Sequence, residues 1–108
     1  MVTIYQNEDY TKYLHLQYAD TADPVNLTEC SVYSQMRTEP NGTLLATATC
    51  TTAPLTGDIW VKYSASAMLA LEPQECGFDV WIVDGEGLKH PIYTTRCKIA
   101  GRYTEIGG

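Results

Sequence analysis

CGFDVWIVDGEGLKHPIYTTRCKI (Cys76–Ile99) decides the fold class. Cys76, Phe78, Val80 and Ile82 fall on one side of a two-residue period, and Asp79, Trp81 and Val83 on the other, which is the signature of a strand. DGEG (Asp84–Gly87) interrupts it with glycines that supply the positive φ of a tight turn. Leu88–Ile99 then reads as the returning strand, with Pro91 near its start. The pair predicts a β-hairpin.

The same period runs outward along the chain. Val2–Gln6 is a short β-prone run. In Lys12–Tyr18, Leu14, Leu16 and Tyr18 share one side, while Tyr13, His15 and Gln17 take the other. DTADP is a turn, and Val25–Leu27 a brief extended piece. Along Cys30–Thr38, Cys30, Val32, Ser34 and Met36 share a face; Ser31, Tyr33, Gln35 and Arg37 read as solvent. EPNG is a turn, Leu44–Thr52 a small-residue strand rich in Ala and Thr, and APLTGD another turn. Asp58–Tyr63 points Ile59, Val61 and Tyr63 inward, with Trp60 and Lys62 outward. The rhythm breaks at SASAMLALEP, where Met68, Leu69 and Leu71 suggest one or two helical turns near 66–72 that end before Pro73. Short strands with regular turn signals predict an all-β fold. The reading is a two-sheet antiparallel sandwich of six to eight strands, a single domain over residues 1–108, with a closed barrel as the competing architecture.

Composition narrows the function classes. Apolar residues make up 44% and charged residues 19%, which suits a globular chain. Seven Lys and Arg stand against thirteen Asp and Glu, for a net charge of -6, which argues against a nucleic-acid partner. No segment approaches the length of apolar chain a membrane span needs. The N-terminus lacks a basic region followed by an apolar run, so the expectation is a protein made and folded in a cytoplasm. The sequons at Asn26 and Asn41 then carry no meaning. Eight tyrosines outnumber two tryptophans and one phenylalanine, and tyrosine suits half-buried sheet faces and interfaces.

Few residues point to chemistry. His15 and His90 read as surface or loop histidines, and no serine has the strained G-x-S-x-G context. Asp84 and Glu86 belong to a hairpin turn and lack the acidic spacing of a calcium loop. Asp79 reads as a mid-strand carboxylate facing solvent or a neighbouring loop. Cys30, Cys50, Cys76 and Cys97 contain no C-x-x-C, so zinc spacing is missing. They read as buried reduced thiols; if disulfides form, three pairings are open. No cofactor, metal ion or catalytic residue is expected, and the chain does not read as an enzyme. Trp60 and Trp81 sit on outward faces, where loops, the Met68–Leu71 turn or another chain would have to cover them.

The order of the motifs carries a resemblance. DPVNLTECSVYSQMR (residues 23–37) is a turn, an LT pair and an alternating strand ending in Arg; GTLLATAT follows as a second strand. TGDIWVKYSASAMLALEPQECGFDVWIVDGEG gives strand, Ala/Leu turn, strand and hairpin, and YTTRCKIAG closes the unit. Over roughly residues 2–104 this resembles the immunoglobulin-like β-sandwich domain of tailed-bacteriophage structural proteins, including the N-terminal domain of baseplate upper proteins. Cys76–Gly77–Phe78 departs from the aromatic–x–aromatic usual there. The resemblance implies a virion component, assembled in the host cytoplasm and present in several copies, that docks onto tail, baseplate or tail-fibre proteins. A capsid decoration (cement) protein is the alternative of the same class, and a carbohydrate-binding module for host attachment, acting through Trp60 or Trp81, that of another. The interface residues expected are Tyr5, Trp60, Trp81, Tyr103 and Ile106, with MVTIYQ and RYTEIGG reaching onto neighbours.

Overall fold

In a computed structural model, which describes residues 1–104, the chain forms eight strands. They are β1 (Val2–Tyr5), β2 (Tyr10–His15), β3 (Ser31–Arg37), β4 (Leu44–Thr47), β5 (Thr49–Ala53), β6 (Asp58–Tyr63), β7 (Gln74–Val83) and β8 (Lys89–Ala100). One short helix, α1 (Ala65–Leu69), and a single 3-10 turn (Pro54–Thr56) complete the fold. The strands divide into a five-stranded sheet, in the order β1-β8-β7-β3-β4, and a three-stranded sheet, β2-β6-β5. This is an all-β sandwich. No helix among the described residues is long and apolar enough to cross a membrane.

Alternation explains the core. Ile59, Val61 and Tyr63 of β6 are all buried, as are Ser34 and Met36 of β3 and Cys76, Phe78, Val80 and Ile82 of β7. These inner faces meet around Phe78, whose ring lies 5.4 Å from Tyr63 and 6.0 Å from each of Tyr10 and Tyr93. Burying a side chain of this size contributes about 1.5–3 kcal/mol. One polar connection crosses the core between the sheets: the Tyr63 hydroxyl lies 2.7 Å from Ser34 Oγ, which itself donates to the Asp79 carbonyl at 2.6 Å. Since Ser34 has a single proton, Tyr63 donates to it.

The helical turn forms where Met68 can fill the core. Ser64 caps it by accepting from the Ala67 N–H, and Asp9 Oδ1 takes the Ala65 N–H at 2.8 Å, so two of its orphan donors are satisfied.

Several elements differ from the sequence reading. Leu44–Thr52 is two strands, not one: the chain leaves the five-stranded sheet at Ala48, whose N–H bonds the Ser34 carbonyl at 3.0 Å, and enters the other as β5. Small Ala and Thr residues suit either sheet, so the crossing leaves no mark in the pattern. The pairing is antiparallel with one exception, β1, which runs parallel to β8 with Ile4 opposite Ile99. β2 starts at Tyr10 and stops at His15, which leaves Tyr18 half exposed. Val25–Leu27, read as a brief extended piece, joins neither sheet; Leu27 is buried and its N–H bonds the Pro54 carbonyl at 2.9 Å.

The β7–β8 hairpin forms as expected, with the Asp84 carboxylate accepting from the N–H groups of Glu86 and Leu88 across the turn. Its register slips by one residue midway: Trp81 faces Pro91, yet Val80 faces Tyr93, so Ile92 is an extra residue on β8. Proline offers no N–H to the ladder, and a bulge is where a strand tolerates that loss.

Candidate functional site

The outer face of the five-stranded sheet carries a groove of about 650 Å³. Register builds it from rows. Tyr33, Trp81 and Pro91 lie side by side on β3, β7 and β8; the next row is Gln35, Asp79 and Thr94, and the one after is Arg37, Gly77 and Arg96. Successive rows are two residues apart, or about 7 Å along the strands. Tyr33 and Trp81 thus form an aromatic end, exposed by 58% and 37%. Gly77 leaves the arginine end without a wall of its own, and a Cβ there would sit 3.0 Å from the Thr95 carbonyl oxygen.

The β3–β4 turn, residues 38–41, forms the side of the groove. Arg37 holds it in place: Nη1 donates to the Gly42 carbonyl and Nη2 to Gln35 Oε1, both at 2.9 Å. Asn41 adopts a left-handed φ of 61°, which asparagine tolerates well, and the Gly42 N–H closes the turn on the Glu39 carbonyl. Among the described residues, the Asp79 side chain has no hydrogen-bond or ion-pair partner, so its carboxylate is available to whatever enters. Arg96 reaches Glu75 only at 3.7 Å, with both side chains largely exposed. The groove therefore offers two aromatic faces, an open carboxylate, an amide and a loosely held guanidinium. That set suits a surface that binds by stacking and hydrogen bonding.

Trp60 lies on the opposite sheet. It stacks against Tyr13, its partner in register, with ring centroids 5.5 Å apart. Beside them Asp58 accepts from Thr56 Oγ1 at 2.6 Å and from the Tyr13 hydroxyl, and its Oδ1 lies 2.9 Å from His15 Nδ1. These bonds, that from Thr56 foremost and then those from Tyr13 and His15, hold the Asp58 carboxyl at about 2, below its ordinary 3.8. The cluster fixes one corner of the β2–β6 pair.

Of the five expected interface residues, four lie among the described ones, and the two tryptophans are on different sheets. Trp60 and Trp81 occupy opposite faces of the sandwich and both stay more than a third exposed, while Met68 of the helical turn is buried in the core. Tyr5 is exposed at the end of β1, Tyr103 is fully exposed beyond β8, and Ile106 lies outside the described residues. MVTIYQ is not a free arm: it pairs with β8, Ile4 is fully buried, and the Gln6 side chain donates to the Leu71 carbonyl at 2.7 Å. Tyr33, Gln35, Arg37 and Asp79, read as solvent-facing, are the residues that join Trp81. Only pairing β3 with β7 reveals them as neighbours.

Both histidines pair with aspartates, His15 with Asp58 and His90 with Asp84, each at 2.9 Å. Among the described residues no group of three or more His, Cys, Asp or Glu side chains is arranged to hold a metal ion. No protein-family model matches the chain, and neither does any curated protein.

Proposed function

We propose that this chain is a non-enzymatic docking domain of a tailed-bacteriophage particle, seated at the tail, baseplate or tail-fibre attachment region and present in several copies. The observation that carries the docking role is the groove on the five-stranded sheet, where Tyr33 and Trp81 stand exposed beside the unpartnered Asp79 carboxylate. Aromatic anchors beside polar groups of defined geometry are what a protein interface uses. The virion setting rests on the resemblance in motif order, and the immunoglobulin-like character of the sandwich belongs to the same reading. The edges at β1 and β4, which pair with no further strand among the described residues, give a partner strand two more places to add.

One observation favours a second reading, a carbohydrate-binding module for host attachment. Trp81 lies in a cleft with Gln35, Asp79 and Thr94, so an indole face and hydroxyl-binding groups converge there. Trp60 does not line that groove.

The test uses the tagged full chain and its Trp81→Ala and Trp60→Ala variants, as baits in infected-cell lysate and on a glycan array, while intact virions are probed with antibody. The expected result is presence in virions and capture of tail, baseplate or fibre proteins by the wild type and Trp60→Ala but not by Trp81→Ala. Capture of major capsid protein alone would point to the cement role. Glycan binding abolished by Trp81→Ala, without virion association, would establish the second reading. Absence from virions, with neither structural proteins nor glycans bound, would overturn both.

A further inference from the structure

The hairpin register places two thiols against each other. Cys76 and Cys97 are direct partners across β7 and β8, both buried, with sulfur atoms 2.8 Å apart. Directly opposed residues of an antiparallel pair have Cα atoms about 4.5 or 5.5 Å apart, and a disulfide spans about 4.4–6.8 Å. The bulge creates this match. Counting back from the turn with Ile92 in a regular ladder position would set Cys76 opposite Arg96 and turn Cys97 to the outer face. Cys30 and Cys50 are half-buried, the first just ahead of β3 and the second on β5 opposite Val61.

We infer that Cys76 and Cys97 form an intramolecular disulfide that staples β7 to β8 when the protein meets an oxidised low-molecular-weight disulfide such as oxidised glutathione. The Cys76 thiolate attacks one sulfur of glutathione disulfide, that S–S bond breaks, and one glutathione leaves as thiolate. Cys97 passes its proton to the departing thiolate and attacks the Cys76 sulfur, releasing the second glutathione as a thiolate that takes from solvent the proton Cys76 gave up. Two protein thiols are oxidised, and one glutathione disulfide is reduced to two thiols. The order follows from the surroundings: contact with Cys97 holds the Cys76 thiol below its ordinary range, while Cys76 and burial push Cys97 up. A reducing cytoplasm keeps the pair open, and an oxidising exterior closes it. The inference does not rest on the proposed function.

The experiment refolds the full chain from denaturant in glutathione redox buffer, traps free thiols with N-ethylmaleimide under denaturing conditions, and maps the labels by mass spectrometry. The expected result is two labels, on Cys30 and Cys50, a linked peptide joining Cys76 to Cys97, and a melting temperature higher than that of the reduced chain by roughly 10–20 °C. The Cys30→Ser/Cys50→Ser variant leaves the core pair intact and should lose all labelling on oxidation. Four labels, or a linked peptide containing Cys30 or Cys50, would overturn the inference.

Discussion

Replacing Ser34 by alanine strands the Tyr63 hydroxyl. That hydroxyl has no solvent exposure, and Ser34 Oγ at 2.7 Å is its partner. Leaving a buried donor unmade costs about 1–3 kcal/mol, and the lost bond from Ser34 to the Asp79 carbonyl adds about 1 kcal/mol. Ser34→Ala should therefore cost about 2–4 kcal/mol. Tyr63→Phe alone should cost only about 1 kcal/mol, because Ser34 keeps its bond to Asp79. In the double variant the stranded hydroxyl is gone, and the loss falls back to about 1–2 kcal/mol. Tyr63→Phe is thus destabilising in the wild type and stabilising in the Ser34→Ala background. Urea unfolding, followed by the fluorescence of Trp60 and Trp81, measures all four corners of the cycle. With a slope of about 2 kcal/mol per molar, the Ser34→Ala midpoint moves by about 1–2 M. Costs that add to within about 0.5 kcal/mol would refute the reasoning, because they would mean that the two groups do not share a bond.

Asp58 makes folding sensitive to acid. Its folded carboxyl sits near 2 against an ordinary 3.8, so its contribution is complete above about 4 and is lost as pH falls from there towards 2. Carboxyl titration by NMR should show that midpoint, and Tyr13→Phe or Thr56→Val should move it upward. Two left-handed positions give opposite outcomes: Ala22, at φ 59°, pays the steric cost of its Cβ, so Ala22→Gly should stabilise by roughly 0.5–1 kcal/mol. Gly57→Ala should destabilise by more than about 1 kcal/mol, since φ is 71° and the new Cβ would lie 2.5 Å from the Leu16 carbonyl oxygen. Thermal melts of the two variants check both signs.

What the sequence made legible was local. Alternation in Asp58–Tyr63 and Cys76–Val83 identified the buried faces because one side of each strand is apolar and the other is mixed. DGEG marked the hairpin, although of its two glycines only Gly87, at φ 83°, takes the left-handed conformation that the turn was expected to need. Long-range placement was not legible. The parallel pairing of β1 depends on Ile4 finding a site beside Ile99, and no local signal encodes it. The groove was hidden because its members lie on three strands and each, taken alone, looks like an ordinary exposed residue. The cysteine pair was hidden for a related reason: whether Ile92 bulges or pairs decides which side of β8 Cys97 faces.

That residue acts as a parity bit for the second half of β8. Side chains in a strand alternate, so a ladder in which Ile92 took a regular place opposite Val80, instead of bulging, would exchange every inward and outward position from Tyr93 onward. Cys97 and Ile99 would turn outward, Arg96 and Lys98 would be driven towards the core, and β1 would lose the apolar edge it lies on. Deleting Ile92 alone should therefore be tolerated, because it removes the bulge and leaves Val80 opposite Tyr93 and Cys76 opposite Cys97. Homologous chains one residue shorter there should lack the bulge and keep the same inward positions on β8.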